Sequence, residues 1–198
     1  MSGESKPADA GKTIIESEQT AETSRELSAP KEAVQHPDAP RLAGYRLVQP
    51  IGRGAYAEVW RGWQERTRKW VAVKVFRRKS GLNWLFLQRE VERLVRLDKH
   101  PYIVSLLDAD LAGDTAYYVL DLIEAGSLER FVVASNRETV EKLAALMEQV
   151  AEALAYVHSK GIIHCDLKPA NILMDDQGRP RVADFGGRKT CGAPSATR

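Results

Sequence analysis

Residues 164–171 have the sequence His164-Cys165-Asp166-Leu167-Lys168-Pro169-Ala170-Asn171, and Asp184-Phe185-Gly186 follows thirteen residues after Asn171. This span combines two carboxylates, an amide and a lysine at close spacing. Phosphoryl transfer requires little covalent chemistry from a protein. It needs a carboxylate to orient a hydroxyl, a cation beside the transferring group and oxygen ligands for magnesium. The residue types of this span meet these needs, so the pattern predicts a phosphoryl-transfer site.

Three further motifs precede this span. They are Ile51-Gly52-Arg53-Gly54-Ala55-Tyr56-Ala57-Glu58-Val59, Val71-Ala72-Val73-Lys74 and Gln88-Arg89-Glu90-Val91-Glu92. Gly52 and Gly54 would let backbone N–H groups approach phosphate oxygens without an intervening Cβ, although a lone Gly-x-Gly more often forms a hairpin turn. Lys74 lies in an apolar strand, where a lysine either extends to solvent or, if buried, pairs with a carboxylate or an anion.

In this order the four motifs resemble the signature set of protein kinases, over about residues 43–191. The resemblance implies an α+β, bilobal kinase-like fold, with a five-stranded antiparallel N-lobe sheet and one helix, plus a partial helical C-lobe. It also implies ATP and Mg²⁺ as cofactors. Lys168-Pro169 is similar to the serine/threonine-directed (Hanks-type) subgroup, which implies transfer of the ATP γ-phosphoryl group to a protein Ser or Thr hydroxyl.

The resemblance also assigns catalytic and metal-binding roles. Asp166 would orient or deprotonate the acceptor hydroxyl, and Lys168 would stabilise charge on the transferring phosphoryl group. Asn171 and Asp184 would hold Mg²⁺ through oxygen atoms, the ligands that this cation prefers. Taken singly, an Asp and an Asn flanking a proline would be turn formers.

Eleven residues are implied to bind the nucleotide. Asp121 and Ile123 would contact the adenine through their backbone, and Leu120 would be the gatekeeping side chain. On composition alone, the apolar members of the set would simply be core residues. The eleven are Ile51, Gly52, Arg53, Gly54, Val59, Ala72, Lys74, Glu90, Asp121, Ile123 and Leu173.

The carboxylate partner of Lys74 is expected in the helix that follows it. Glu90 is the first candidate and Glu92 the second. The family spacing from this glutamate to the His-Pro pair is one residue shorter, so the assignment of Glu90 requires an insertion near Asp98-Lys99.

The two residues before Asp166 are a histidine and a cysteine. His164 is expected to pack beside Phe185 and Leu94 as structural support. Cys165 replaces the arginine that is usual in the family, and a thiol cannot make a charge-assisted, bidentate contact with a phosphate. The hypothesis is that activation-segment phosphorylation does not switch this chain on, and a phosphorylation-dependent rate in Cys165→Arg would contradict it.

Composition sets further bounds. The chain has 198 residues and a formal net charge of +2, which implies no nucleic-acid or other polyanionic partner. Cys165 and Cys191 have neither disulfide-framework nor metal-ligand spacing, which favours a reducing, cytoplasmic setting. The sequence lacks a signal-peptide pattern and an apolar run of membrane-spanning length, so no membrane segment is expected in it.

Three segments are predicted along the chain: a disordered tail over 1–42, a kinase N-lobe and hinge over 43–123, and a partial C-lobe over 124–198. The tail has no aromatic residues and buries too little apolar surface to offset its ordering entropy, although a short docking helix over Ile14–Leu27 is an alternative.

The predicted strands are Tyr45–Val48, Glu58–Trp63, Trp70–Phe76, Ile103–Leu107 and Ala116–Leu122. The predicted helices are Leu82–Leu97 and a helix across Leu143–Val157. A hairpin is predicted to pair Ile172–Met174 with Arg181–Ala183.

The sequence after Gly186 departs from the family pattern, because no Ala-Pro-Glu motif follows. We therefore expect an incomplete catalytic domain of doubtful activity, in which the apolar helix face Leu143–Val157 is exposed. Such a face predicts aggregation or a covering partner. Two alternatives remain open, a non-catalytic, nucleotide-binding regulator and, with less support, a small-molecule phosphotransferase.

Overall fold

The computed structural model describes residues 33–54, 56–76, 82–97, 100–130 and 137–185. Five strands form an antiparallel sheet in the order β1-β2-β3-β5-β4, and two more form a hairpin. The predicted α+β fold with a five-stranded antiparallel sheet is confirmed. The elements are β1 (Tyr45–Arg53), β2 (Ala57–Gln64), β3 (Lys69–Phe76), α1 (Leu82–Arg96), β4 (Leu106–Asp110), β5 (Tyr117–Asp121), α2 (Arg137–Ser159), β6 (Ile172–Met174) and β7 (Pro180–Val182).

The fourth strand begins later than predicted. The apolar run from Ile103 suggested a strand over Ile103–Leu107, but β4 starts at Leu106. Val104 instead donates its backbone N–H to the carbonyl of Val182 at 3.0 Å, and Ile103 forms a bridge with the same residue. Ile103 and Val104 are buried beside the hairpin. An apolar run by itself does not reveal which strand it will pair with.

Residues 33–42, predicted to be disordered, pack against the sheet. Gln35 accepts the backbone N–H of Leu47 through Oε1 at 2.9 Å, and His36 donates its own N–H to the Leu47 carbonyl at 2.8 Å. The His36 ring lies edge-on to Trp60, with centroids 5.3 Å apart. The prediction of disorder is therefore wrong for residues 33–42, because side-chain and backbone contacts of this kind compensate for weak hydrophobicity.

Several predictions concern residues outside the described ranges. They are disorder over 1–32, the alternative docking helix over Ile14–Leu27, the insertion near Asp98-Lys99, the glycine of the Asp184-Phe185-Gly186 motif, and the segment 187–198.

One apolar cluster joins α1 and the sheet to α2 and to Phe185. It contains Leu94 of α1, Tyr118 of β5, Val157 of α2 and Phe185, all at most 5 % exposed. Burial of each such side chain contributes about 1.5–3 kcal/mol relative to its exposure. The cluster therefore fixes α1, the sheet, α2 and the segment that carries Asp184 with respect to one another.

Helix α2 buries much of the face that was expected to be exposed. Val150 and Val157 are at most 1 % exposed and belong to the same cluster as Val182 of β7. The expectation of an exposed face is wrong for these residues, because the β6–β7 hairpin covers them. Val140 and Met147, in contrast, are 60 % and 43 % exposed. Within the described ranges, no helix is both long and apolar enough to cross a membrane.

Candidate active site

A cleft with a volume of about 940 Å³ lies between the sheet and the β6–β7 hairpin. All eleven residues predicted to bind nucleotide line it, and so do the two predicted metal ligands, Asn171 and Asp184. The predicted gatekeeper, Leu120, also lines the cleft. The structure therefore brings together residues that are up to 133 positions apart in the sequence (Ile51 to Asp184).

The turn between β1 and β2 forms one wall of this cleft. It is closed by a hydrogen bond from the Gly54 N–H to the Ala57 carbonyl at 2.8 Å. A Cβ added at Gly52 would meet the Val59 side chain at 3.5 Å, and one at Gly54 would lie 3.4 Å from the Ala57 carbonyl oxygen. Both distances are ordinary van der Waals contacts, so packing within the chain does not demand glycine at either position.

Lys74 connects the two sides of the cleft. Its Nζ lies 2.7 Å from Glu90 Oε1 and 3.0 Å from Asp184 Oδ1. Glu90 is buried whereas Glu92 is exposed, so the structure selects Glu90 from the two candidates. Burial acts to lower the pKa of Lys74, but the neighbouring Tyr118, Glu90 and Asp184 outweigh it and hold this pKa above its ordinary value. The lysine is therefore a cation at neutral pH.

The backbone is strained at two residues, one beside Asp166 and the other Asp184 itself. Cys165 and Asp184 have φ angles of 63° and 62°, which cost a non-glycine residue about 1 kcal/mol each. His164 Nε2 lies 2.9 Å from the Ala183 carbonyl oxygen, and its ring packs 4.7 Å from that of Phe185. These contacts confirm the predicted packing of His164 beside Phe185 and tie the segment before Asp166 to the one that carries Asp184.

Asp166 lies at the centre of a polar cluster beside the cleft. Its Oδ2 accepts hydrogen bonds from Lys168 Nζ at 2.8 Å and from Asn171 Nδ2 at 3.2 Å. The Lys168 hydrogen bond is the main cause that holds the pKa of Asp166 below its usual value. Asp166 and Lys168 do not line the cleft themselves, but both are bonded into the loop whose Asn171 does. Asp166 is therefore an ionised hydrogen-bond acceptor at neutral pH.

Asn171 and Asp184 have the chemistry that a magnesium ion requires. Because Asn171 Nδ2 also donates to the Asp166 carbonyl at 2.8 Å, its Oδ1 is the atom left for a cation. Among the described residues, no group of three or more His, Cys, Asp or Glu side chains could hold a metal. One carboxylate and one amide nevertheless suit Mg²⁺, which keeps several waters and takes its remaining oxygens from phosphates.

Two residues that were not predicted make polar contacts with predicted site residues. Arg181 of β7 places Nη2 3.2 Å from Asp121 Oδ2, which links the hairpin to the segment expected to bind adenine. Tyr118 of β5 donates its hydroxyl to Glu90 Oε1 at 2.6 Å. The position of Tyr118, two residues before Leu120 and therefore on the same face of the strand, was a signal that could have identified it.

The turn of the β6–β7 hairpin depends on Asp175. This buried carboxylate accepts hydrogen bonds from the N–H groups of Gln177 and Arg179 at 3.0 and 2.9 Å, and from Arg179 Nε at 2.9 Å. Burial acts to raise the pKa of Asp175, but these donors outweigh it and lower the pKa. The stability that the carboxylate contributes is thus present above the unfolded value of about 3.9 and is lost as the pH falls below it.

We expect Asp175→Asn to lower the free energy of unfolding by about 1–2 kcal/mol at pH 7, because the turn loses a charged acceptor. The difference between the variant and the parent should shrink as the pH falls below about 3.9, where the carboxyl group of the unfolded parent takes up a proton, and it should vanish only at a lower pH, where the native carboxylate is protonated as well. Urea unfolding at both pH values measures this difference. Asp176→Asn, at the exposed neighbouring position, is the control, and a deficit that is independent of pH would contradict the assignment.

Comparison with known proteins agrees with this geometry. Residues 45–197 match the family described as protein kinase domain. The chain is 38 % identical over 154 residues to serine/threonine-protein kinase ULK3 of Rattus norvegicus, covering 74 % of this chain and 32 % of that protein. It is 36 % identical over 172 residues to serine/threonine-protein kinase PkaA of Streptomyces coelicolor, covering 78 % and 31 %.

A third relative is CBL-interacting serine/threonine-protein kinase 12 of Arabidopsis thaliana. The chain is 33 % identical to it over 165 residues, which cover 82 % of this chain and 33 % of the relative. The chain thus spans about a third of the length of the curated relatives that it matches. The family match covers well over half of the chain and confirms the resemblance seen in the motifs. The chain belongs to the protein kinase domain family.

Proposed function

We propose that this chain carries the nucleotide site and the phosphotransfer residues of a serine/threonine protein kinase, which transfers the γ-phosphoryl group of ATP to a protein hydroxyl. The supporting observation is the position of Lys74, whose Nζ contacts Glu90 and Asp184 within one cleft. A partly buried cation between two carboxylates, beside a glycine-containing turn, provides for a triphosphate and its metal.

In the proposed reaction, the acceptor hydroxyl oxygen forms a bond to the γ-phosphorus while the bond from that phosphorus to the β–γ bridging oxygen breaks and ADP leaves. The Asp166 carboxylate is the acceptor to which the substrate hydroxyl would donate. Because its pKa is lowered, the carboxylate is a weak base, and its main contribution is to orient the hydroxyl. The proton passes to this carboxylate late in the transfer, when the new bond has formed.

The remaining charges have complementary positions. Lys168 lies beside Asp166 and would neutralise charge on the phosphoryl group as it moves. Asn171 and Asp184 would hold Mg²⁺, which supplies charge neutralisation for the phosphates when it is bound. Asp121 and Ile123 also line the cleft, and the adenine would bind beside them.

Two further inferences belong to this proposal. Val140 and Met147 are exposed on α2 and lie near the half-buried Leu143 and Leu146. An apolar face of this kind favours contact with a protein partner. A reducing, cytoplasmic setting is proposed from the low cysteine content alone.

The test is phosphoryl transfer by the full chain. With γ-³²P-ATP, Mg²⁺ and a generic protein substrate, we expect label on serine and threonine that disappears when Mg²⁺ is chelated. Aminoglycoside and sugar acceptors should remain unlabelled. Nucleotide binding without transfer to protein would favour the non-catalytic regulator, and label on a small acceptor would favour the small-molecule phosphotransferase.

A further inference from the structure

A third residue, Tyr118, contacts the ion pair formed by Lys74 and Glu90, and the proposed function gives it no role. Tyr118 is 1 % exposed, and its hydroxyl donates to Glu90 Oε1 at 2.6 Å. Lys74 donates to this same oxygen at 2.7 Å, and its Nζ lies 5.4 Å from the centroid of the Tyr118 ring. Strand register explains the arrangement, because Lys74 of β3 is paired with Tyr118 of β5.

The two donors to Glu90 differ in rigidity. Lys74 has a flexible side chain, and its ammonium group contacts both Glu90 and Asp184. Tyr118 is embedded in the apolar cluster, and its ring packs 5.6 Å from that of Phe76. A phenol that is held by its ring in a packed core keeps its hydroxyl at one place, so it defines where the carboxylate of α1 can lie.

The protonation state of Tyr118 suits this role. Burial raises the pKa of its phenol well above the usual range, so the hydroxyl keeps its proton and remains a donor throughout the neutral pH range. A hydrogen bond from a buried donor to a carboxylate is stronger than one between neutral groups. The hydroxyl also reduces the cost of burying the Glu90 carboxylate.

We propose that Tyr118 is a positioning residue, which fixes the Glu90 carboxylate so that Lys74 is already directed into the cleft before a nucleotide binds. The inference rests on the proposed function, because it assigns Lys74 to the phosphates. A positioning role for Tyr118 differs from a purely structural role in one measurable respect. A positioning effect acts on ligands that carry phosphates, whereas a packing effect acts equally on ligands that lack them.

The experiment compares ATP with adenosine on the full chain. In Tyr118→Phe, which removes only the hydroxyl, we expect the dissociation constant of Mg-ATP to rise about 10-fold, since a hydrogen bond to a charged group is lost. Adenosine should bind within about twofold of the parent value, because it makes no contact with Lys74. Isothermal titration calorimetry measures both constants.

Tyr117→Phe is the matched control. Tyr117 is adjacent in β5 but belongs to the cluster on the other face of the sheet, where its ring lies 5.8 Å from that of Tyr45. The same chemical change at this position should leave both ligands unaffected. A melting curve for each variant shows whether the fold is intact.

A second background tests whether the hydroxyl acts through Glu90. In Glu90→Ala, addition of Tyr118→Phe should no longer weaken Mg-ATP binding. Three results would each overturn this inference but not the proposed function. They are equal weakening of ATP and adenosine binding in Tyr118→Phe, unchanged ATP binding in that variant, and an undiminished effect of Tyr118→Phe in the Glu90→Ala background. If the parent chain bound neither ligand, the proposed function would be overturned, and this inference with it.

Discussion

Replacement of Asp166 by asparagine is expected to lower the rate of phosphoryl transfer by at least about 100-fold. Asparagine keeps one oxygen that could accept a hydrogen bond, but it loses the negative charge that Lys168 Nζ contacts at 2.8 Å. The substrate hydroxyl would then face a neutral amide that can also donate, so its orientation is lost. Binding of Mg-ATP should change by less than about threefold, because Asp166 does not line the nucleotide cleft.

The rate is measured with γ-³²P-ATP and a generic protein substrate, and the affinity is measured by calorimetry on the same preparations. Asp176→Asn makes the identical change at an exposed position of the β6–β7 turn and should behave as the parent. Equal rates in the parent and Asp166→Asn would show that any observed label does not depend on this carboxylate. That result would contradict the catalytic role and leave the regulator as the better explanation.

The spacing of residues within 164–171 was sufficient to predict where part of the candidate site lies. Asp166, Lys168 and Asn171 are close in sequence, so the short loop itself brings them together. The hairpin around Asp175 then returns the chain to Asp184, as the turn residues indicated. Local geometry of this kind is encoded in a few neighbouring residues and needs no information on long-range pairing.

Long-range contacts were harder to predict. The choice between Glu90 and Glu92 depends on the rotation of α1 against the sheet, and only packing of the apolar face of α1 fixes that rotation. Arg181 and Tyr118 escaped notice because an arginine and a tyrosine in short strands ordinarily indicate an edge and a core position. Their roles arise from Asp121 and Glu90, which lie 60 and 28 residues away.

The segment 33–42 shows why order cannot always be predicted from amino-acid composition. It contains two prolines and few large apolar residues, which is typical of a disordered tail. Its order comes from particular contacts, such as the hydrogen bond from the Leu47 N–H to Gln35 and the packing of His36 on Trp60. Average hydrophobicity cannot detect one side chain that satisfies the exposed backbone of the edge strand β1.

Replacement of Lys74 by methionine is expected to raise the dissociation constant of Mg-ATP by about 100-fold, which corresponds to about 2.7 kcal/mol. Methionine preserves the length and apolar stem of the side chain but leaves Glu90 and Asp184 without their shared cation. Two uncompensated carboxylates would then face a polyanionic ligand. Breaking a buried pair should also lower the free energy of unfolding by about 3 kcal/mol.

A matched variant and a double variant separate these two effects. Lys69→Met removes a lysine from the exposed start of the same strand and should change neither quantity. Lys74→Met combined with Glu90→Gln removes both charges of the buried pair, so much of the stability should return. ATP affinity should stay low, because no cation remains to contact the phosphates. Calorimetry and urea unfolding on the parent, the two single variants and the double variant measure both quantities. Recovery of ATP binding together with stability would show that Lys74 acts only as a structural partner of Glu90.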